Sequence, residues 1–186
     1  MRSDVPTSCE SDRLLIRRLE LYDDKALYAA ARESITDVFP FLPWCHPEYD
    51  ISETRQWLIT SLQDWEDFRS YEFAIIRKSD GLFLGGIGLS RDEDHPIANL
   101  GYWVRSSATS QGIATEATTC IAQFGFVHLK LMRIEIIMSL ANQPSQRVAE
   151  KVGAVHEGIL RNRLFLHGRC HDAHSYSLLR SDAGLI

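Results

Sequence analysis

The sequence predicts a mixed α/β fold of seven strands and four helices. Three observations carry that reading. Short period-two runs rich in Ile, Leu, Tyr and Phe read as strands. Longer stretches repeat apolar residues every three or four positions. The two types follow one another in the order β-α-α-β-β-β-α-β-α-β-β. With 186 residues and 45% hydrophobic content, one domain over 1–186 has enough apolar mass for a core, and neither a repeat nor a linker-like stretch interrupts it.

Residues 1–12 are polar and lack the apolar segment of a signal peptide, so a loose leader is expected there. Arg13 to Leu19 (RLLIRRL) reads as the first strand. Asp23 and Asp24 then open a helix, acidic residues at a helix start complementing its dipole, and this helix runs to about Arg32. From Ser34 to Tyr49 the chain carries Pro40, Pro43 and Pro47, which predicts an irregular section. Its Phe39, Phe41, Leu42 and Trp44 suit core lining or the wall of a groove, and Trp44 is placed near a groove. Ser52 can cap the second helix, about Glu53 to Arg69, with Trp57 and Trp65 on its core side.

Glu72–Lys78 and Leu82–Ser90 are strands joined at Ser79-Asp80-Gly81, a hairpin signal. After a polar turn, Ile97 to Arg105 forms the next strand. The small residues Ser106 to Ser110 follow, and from Gly112 a helix places Ile113, Ala117, Cys120, Ile121 and Phe124 on one side. Met132–Leu140 alternates as a strand. Asn142 opens a short helix that stops near Gly153, and His156–Leu166 and Arg169–Leu179 pair across His167-Gly168. Cys120 is expected to be an inert core thiol.

A net charge of −5 argues against a general nucleic-acid surface, and four widely spaced cysteines suit a reducing compartment. No apolar run approaches a membrane span. The expectation is a soluble cytoplasmic protein with neither membrane nor direct nucleic-acid partners. The tail from His167 to His174 matches no recognised zinc spacing, so no metal ligand is assigned and the stretch reads as a polar hairpin.

Two stretches can carry chemistry. A loop of small residues opening into a helix leaves backbone N–H groups without intrahelical partners, and with the helix dipole these suit a pyrophosphate. Gly112 lets the backbone approach a ligand closely. The same spacing also fits a solvated turn that binds nothing. In the second stretch, Asn142 can cap a helix with Pro144 in its first turn and Ser145 one turn in, which by itself is ordinary capping.

Together these stretches resemble the GCN5-related N-acetyltransferases, in particular the branch that contains RimJ and RimL. Gly101-Tyr102-Trp103-Val104 followed by Gln111-Gly-Ile-Ala-Thr-Glu-Ala117 is similar to that family's coenzyme A loop, Q/R-x-x-G-x-G/A, with Gly112 and Ala114 at its last two fixed positions. Thr109 stands where Gln or Arg is usual and Ser110 where Gly is common. Ser11-Asp-Arg-Leu-Leu-Ile-Arg17 resembles the branch's first strand. Asn142-x-x-Ser145 with Lys151-Val-Gly153 and Glu157-Gly158 resembles its N-x-x-S…K-x-G-F-x-x-E-G, and Gly168, Asp172 and Tyr176-Ser-Leu-Leu179 its ending.

The likeness runs from Arg13 to Arg180. It implies a seven-stranded mixed sheet flanked by helices and split between the fourth and fifth strands, with acetyl-CoA as cosubstrate in the split. Carried over residue by residue, the cofactor-binding set is Trp103, Val104, Thr109, Ser110, Gln111, Gly112, Ile113, Ala114, Thr115, Asn142 and Ser145. A backbone N–H near Val104 would polarise the thioester carbonyl, and Asn142 would hold the pantetheine arm.

Ser145 is the catalytic candidate. Ala149 occupies the place where many members have a tyrosine acid, and a lone hydroxyl is better suited to hydrogen-bonding the thiolate than to protonating it. Asn99-Leu100 stands where the branch commonly has a Glu, so no base is evident. Without a strong base, an α-amine of pKa about 8 is an easier acceptor than a lysine near 10.4. The expected activity is direct acetyl transfer to a protein N-terminus of the ribosomal-protein type. A small-molecule amine acceptor (polyamine, amino acid or aminoglycoside) and a catalytically inactive CoA-binding regulatory domain are the alternatives, and the oligomeric state, a homodimer included, stays open.

Overall fold

The computed structural model describes residues 5–182. Its strands are β1 (Ser8–Glu10), β2 (Leu14–Arg18), β3 (Ser70–Arg77), β4 (Phe83–Arg91), β5 (Ile97–Val104), β6 (Arg133–Ser139), β7 (Val155–Leu166) and β8 (Arg169–Leu179). The helices are α1 (Asp24–Val38), α2 (Ile51–Glu66), α3 (Ile113–Val127) and α4 (Gln143–Lys151). All eight strands join one mixed sheet in the order β1-β2-β3-β4-β5-β6-β8-β7.

The eighth strand, one more than expected, comes from the stretch read as a loose leader. Residues 1–4 lie outside the described residues, but Ser8, Cys9 and Glu10 pair with Arg17, Ile16 and Leu15. Cys9 packs on the main core, so even a polar segment gains by covering the otherwise open edge of β2.

Helix α1 also runs further than expected, to Val38 instead of Arg32. Pro40 disfavours the helical conformation only in the residue before it, and even Phe39 is helical here (φ −53°, ψ −40°), while Ser34 and Val38 bury the extra turns. The cap of α2 is Asp50, not Ser52. Asp50 accepts from Ser52 N at 2.8 Å while Glu53 accepts from Asp50 N at 2.9 Å, a reciprocal pair that starts the helix at Ile51.

The antiparallel half of the sheet has two different faces. Tyr71, Phe73 and Ile75 on β3 and Ile87 and Leu89 on β4 pack with Ile113, Ala117, Ile121 and Phe124 of α3 in the main core. The opposite face meets α1 and α2 through Leu19, Leu27, Leu58, Ala74 and Phe83.

Strands β5 and β6 run parallel and pair only at Ile97–Arg133, Ala98–Ile134 and Asn99–Glu135. Beyond Asn99 they diverge, and the second half of β5 faces a gap. This is the split expected between the fourth and fifth strands of the core sheet, here β5 and β6.

Candidate active site

The gap sets the geometry of the site. Pro96 O accepts from Met132 N on the β6 side, whereas Arg105 N donates to Leu84 O on β4. Backbone direction alternates along a strand, so the N–H and C=O of Tyr102 and Val104 point into the gap and those of Trp103 toward β4. Side chains alternate as well. The Trp103 indole lies over Gly86 on the α1/α2 face, packed edge-on against Trp44 at 5.5 Å, while Tyr102 lies on the other face.

At the end of β5 the chain turns through Ser106–Ala108 into the loop before α3. This turn is tied to the extra turns of α1. Ser106 N donates to Ser34 Oγ at 3.0 Å, Ser107 N to Glu33 Oε1 at 2.9 Å, and Arg105 forms an ion pair with Glu33. The Arg105 guanidinium and the Ser107 donors hold the Glu33 carboxyl down to about 2.

Gly112 is the N-cap of α3 in the left-handed conformation (φ 77°) and offers no side-chain cap, and Ser110 is also left-handed (φ 60°). Among the described residues, no hydrogen bond is made by the backbone N–H groups of Ser110, Gln111, Gly112, Ile113, Ala114 and Thr115. Six successive free donors at a helix start form a cradle suited to a pyrophosphate.

Arg13, just before β2, fixes this cradle. Its guanidinium bonds Glu116 in the first turn of α3 (2.8 Å through Nε) and donates to Gln111 O at 3.2 Å, while Ser11 Oγ donates to the other Glu116 oxygen. The Thr109 hydroxyl turns back to Ser106 O, and the Gln111 amide to Ser107 O. These two side chains brace the loop while its backbone stays open.

Across the gap, Asn142 Oδ1 caps α4 by accepting from Ser145 N at 3.2 Å. Its amide NH2 donates to nothing among the described residues. The Ser145 hydroxyl meets the Tyr102 hydroxyl at 2.9 Å, bridging the two sides of the split. Burial pushes the Tyr102 phenol up to about 12, with the Ser145 bond opposing the shift. Ala149 is wholly buried and supplies no acid.

On the α1/α2 face a groove of about 610 Å³ opens over β3, β4 and β5, walled by Leu42, Trp44, Tyr49, Trp57 and Trp103. Trp44 lies where the sequence placed it. Trp57, expected in the core, is 39% exposed and belongs to the groove instead, while Trp65 is buried as expected.

The floor of the groove holds Glu72, which sequence reasoning missed. It lies half-buried with no hydrogen-bond or ion-pair partner for its carboxylate among the described residues. Burial, with Asp64 adding repulsion, pushes its pKa up to about 7. A lone Glu in the apolar strand Tyr71–Ile76, beside the glycine-rich β4, is the signal that pointed to it. Tyr102 had no comparable signal, since its partner is on another element.

Elsewhere, Cys120 packs against the main core as expected. It lies beside Cys9, whose hydrogen bond lowers it to about 7. Asp172 accepts from Asn162 N at 2.8 Å within the β7–β8 hairpin.

Comparison with known proteins agrees with this geometry. Residues 13–155 match the family model described as an acetyltransferase (GNAT) domain. The Bacillus subtilis (strain 168) protein YdaF, provisionally named a ribosomal N-acetyltransferase, is 31% identical over 128 residues, covering 66% of this chain and 69% of its own. The uncharacterised N-acetyltransferase YoaA of the same organism is 26% identical over 173 residues, covering 92% and 96%. Mycobacterium smegmatis RimJ in complex with CoA-disulfide superposes with a TM-score of 0.84 at 24% identity, over 92% of this chain and 86% of that one. A sheet split after Asn99, a donor cradle at the start of α3 and the matched residues converge on one assignment: this chain belongs to the GNAT family of acetyltransferases.

Proposed function

We propose that this acetyltransferase uses acetyl-CoA as cosubstrate and passes the acetyl group directly to the α-amine of a protein or peptide N-terminus. One observation carries the reading. The exposed backbone of Tyr102 and Val104 lies between the donor cradle of Ser110–Thr115 and the groove that holds Glu72, so two substrates can meet over the same half-strand.

In this reading the cradle binds the pyrophosphate, the free amide of Asn142 holds the pantetheine arm, and the Val104 N–H polarises the thioester carbonyl. Tyr102 donates to Ser145 Oγ, which frees the Ser145 proton for the departing sulfur. A phenol near 12 is a weaker acid than a thiol near 8.5, so the pair stabilises the thiolate by hydrogen bonding and need not protonate it. None of the residues named in the groove forms a nucleophile–base pair of Cys or Ser with His, which supports direct attack over a covalent enzyme intermediate. The name of YdaF supports a protein acceptor. Tyr102 and Glu72 supply the kinds of group whose absence would favour an inactive regulatory domain.

The test is thiol release from acetyl-CoA with peptides bearing free N-termini, α-blocked lysine peptides and polyamines, with product masses read alongside. Acetylated α-amines, lost in Ser145→Ala and weakened in Gly112→Trp, are the expected result. Transfer confined to lysine or polyamines would overturn the acceptor, and acetyl-CoA binding without transfer to any amine would overturn the activity.

A further inference from the structure

We propose that Glu72 is the general base that takes the proton from the acceptor ammonium. This rests on the acetyltransferase reading above and adds the residue that sequence comparison leaves missing.

Glu72, Gly88 and Gly101 are directly paired across β3, β4 and β5, so their side-chain positions share one face. Two of the three are glycine, and the trough they leave is filled by the carboxylate. A Cβ built on Gly88 would lie 2.1 Å from Glu72 Oε2 and 2.4 Å from Oε1. Neighbouring strands are about 4.8 Å apart, so a carboxylate lying over Gly88 stands about one strand spacing from Gly101 on β5, roughly 10 Å along the strand from the Val104 backbone that is to hold the acyl carbonyl, a span that water in the groove can relay a proton across. Asn99, two residues before Gly101, faces the same side and lines the same groove. A carboxylate missing from β5 is thus delivered from β3 across a glycine.

The surroundings suit a base. The titratable groups around Glu72 are Asp64 and Glu53 from α2 and Tyr49 from the segment before α2, while the Tyr102 side chain lies on the opposite face of β5. On β2, Arg17, paired beside Ala74 on the face of Glu72, is held by Asp23, and Arg18 is held by Glu20 and Glu66. Among the described residues no cation neutralises the carboxylate, and its burial places proton uptake near neutral pH, where a base works best.

The step balances. The ammonium gives one proton to Glu72, and the neutral nitrogen bonds to the thioester carbonyl carbon. The C–S bond breaks with its electron pair on sulfur, and the nitrogen loses a second proton to solvent. The thiolate, held by Ser145, takes a proton from solvent, and Glu72 returns its own to solvent before the next turnover.

The experiment compares wild type with Glu72→Gln, Gly88→Ala and the double variant Glu72→Gln/Asn99→Glu. It reads kcat/KM against pH for a peptide with a free N-terminus, and acetyl-CoA affinity by calorimetry. Glu72→Gln is expected to lose about 100-fold or more in kcat/KM, to lose the limb that rises through pH 7, and to keep its acetyl-CoA affinity. Gly88→Ala, which displaces the carboxylate without removing it, should lose a similar factor. The double variant, with a carboxylate restored on the same face, should regain at least about tenfold. A Glu72→Gln rate within about threefold of wild type with the same pH profile overturns the inference, as does a parallel loss of acetyl-CoA affinity. If wild type binds acetyl-CoA and acetylates no amine, the activity itself is wrong, a result distinct from either.

Discussion

The position of Glu72 predicts a pH-dependent stability that needs no substrate to observe. Its carboxyl is raised from 4.5 to about 7 by burial and by Asp64. Below pH 4.5 it is protonated in both folded and unfolded chains and contributes no difference. Between 4.5 and 7 the folded chain holds a proton that the unfolded chain has released, so stability falls as pH rises. Above 7 it is ionised in both, and the folded state carries the whole desolvation cost.

At about 1.36 kcal/mol per unit, that cost is at most about 3 kcal/mol, less wherever water enters the groove. Glu72→Gln removes the charge and keeps the shape. The variant should therefore melt close to wild type at pH 5 and several degrees above it at pH 8, since about 1 kcal/mol moves the midpoint of a chain this size by roughly 2–4 °C. Differential scanning calorimetry at half-unit pH steps reads the difference directly. A difference that stays flat from pH 5 to 8 would refute the placement of an unpaired, half-buried carboxylate in the groove.

Other consequences are equally open to measurement. Gly112→Ala forces a side chain into a left-handed N-cap where the nearest atom, Arg13 Nη2, is 3.6 Å from the new Cβ, so backbone strain of about 1 kcal/mol, not collision, should lower stability and weaken acetyl-CoA binding in calorimetry. Ser145→Ala and Tyr102→Phe break one hydrogen bond from its two ends, and kcat for the pair of changes should fall less than the product of the single losses; strict multiplicativity would mean the two act separately. Arg13→Ala frees Glu116 and the Gln111 carbonyl, so the Kd for acetyl-CoA should rise severalfold while Tm moves little, because Arg13 is 54% exposed. Iodoacetamide at pH 7.5 should modify Cys120, lowered to about 7, well before Cys45, which burial raises to about 11, as peptide mass mapping will read.

What could be read in the sequence is what depends on neighbours in the chain. Small residues before Gly112, and the Asn142-Pro144 start of α4, determine their own helix starts, so both halves of the proposed cofactor site are visible as local patterns. The end of α1 was misjudged because proline forbids less than it suggests: Pro40 leaves helix possible up to Val38, and the extra turns bring Glu33 and Ser34 to the loop after β5. Strand β1 escaped notice because its polar residues reveal nothing until Cys9 meets α3. The base and the Tyr102–Ser145 bridge depend on register and on contacts across the fold. Glu72 becomes meaningful only when β4 sets Gly88 beside it and β5 sets Gly101 beyond.

With Glu72 as the base, the acceptor preference keeps the physical origin the sequence suggested, the pKa of the amine itself. A missing base favoured an α-amine because that amine is already largely neutral. A base near pKa 7 favours it again, through the proton transfer itself. Moving a proton from an amine of about 8 to a group of about 7 is uphill by roughly 1.4 kcal/mol; from a lysine of about 10.4 the climb is roughly 4.6 kcal/mol. The gap of about 3 kcal/mol is worth about two orders of magnitude in rate if both amines reach the same position. Raising the base would lower the climb for both amines alike, leave the gap unchanged, and keep Glu72 protonated at neutral pH, where it accepts nothing. The trough of glycines sets both limits. It buries the carboxylate enough to make it basic, and it leaves one side open to the groove so that an ammonium, and not a fixed cation of the protein, becomes its partner.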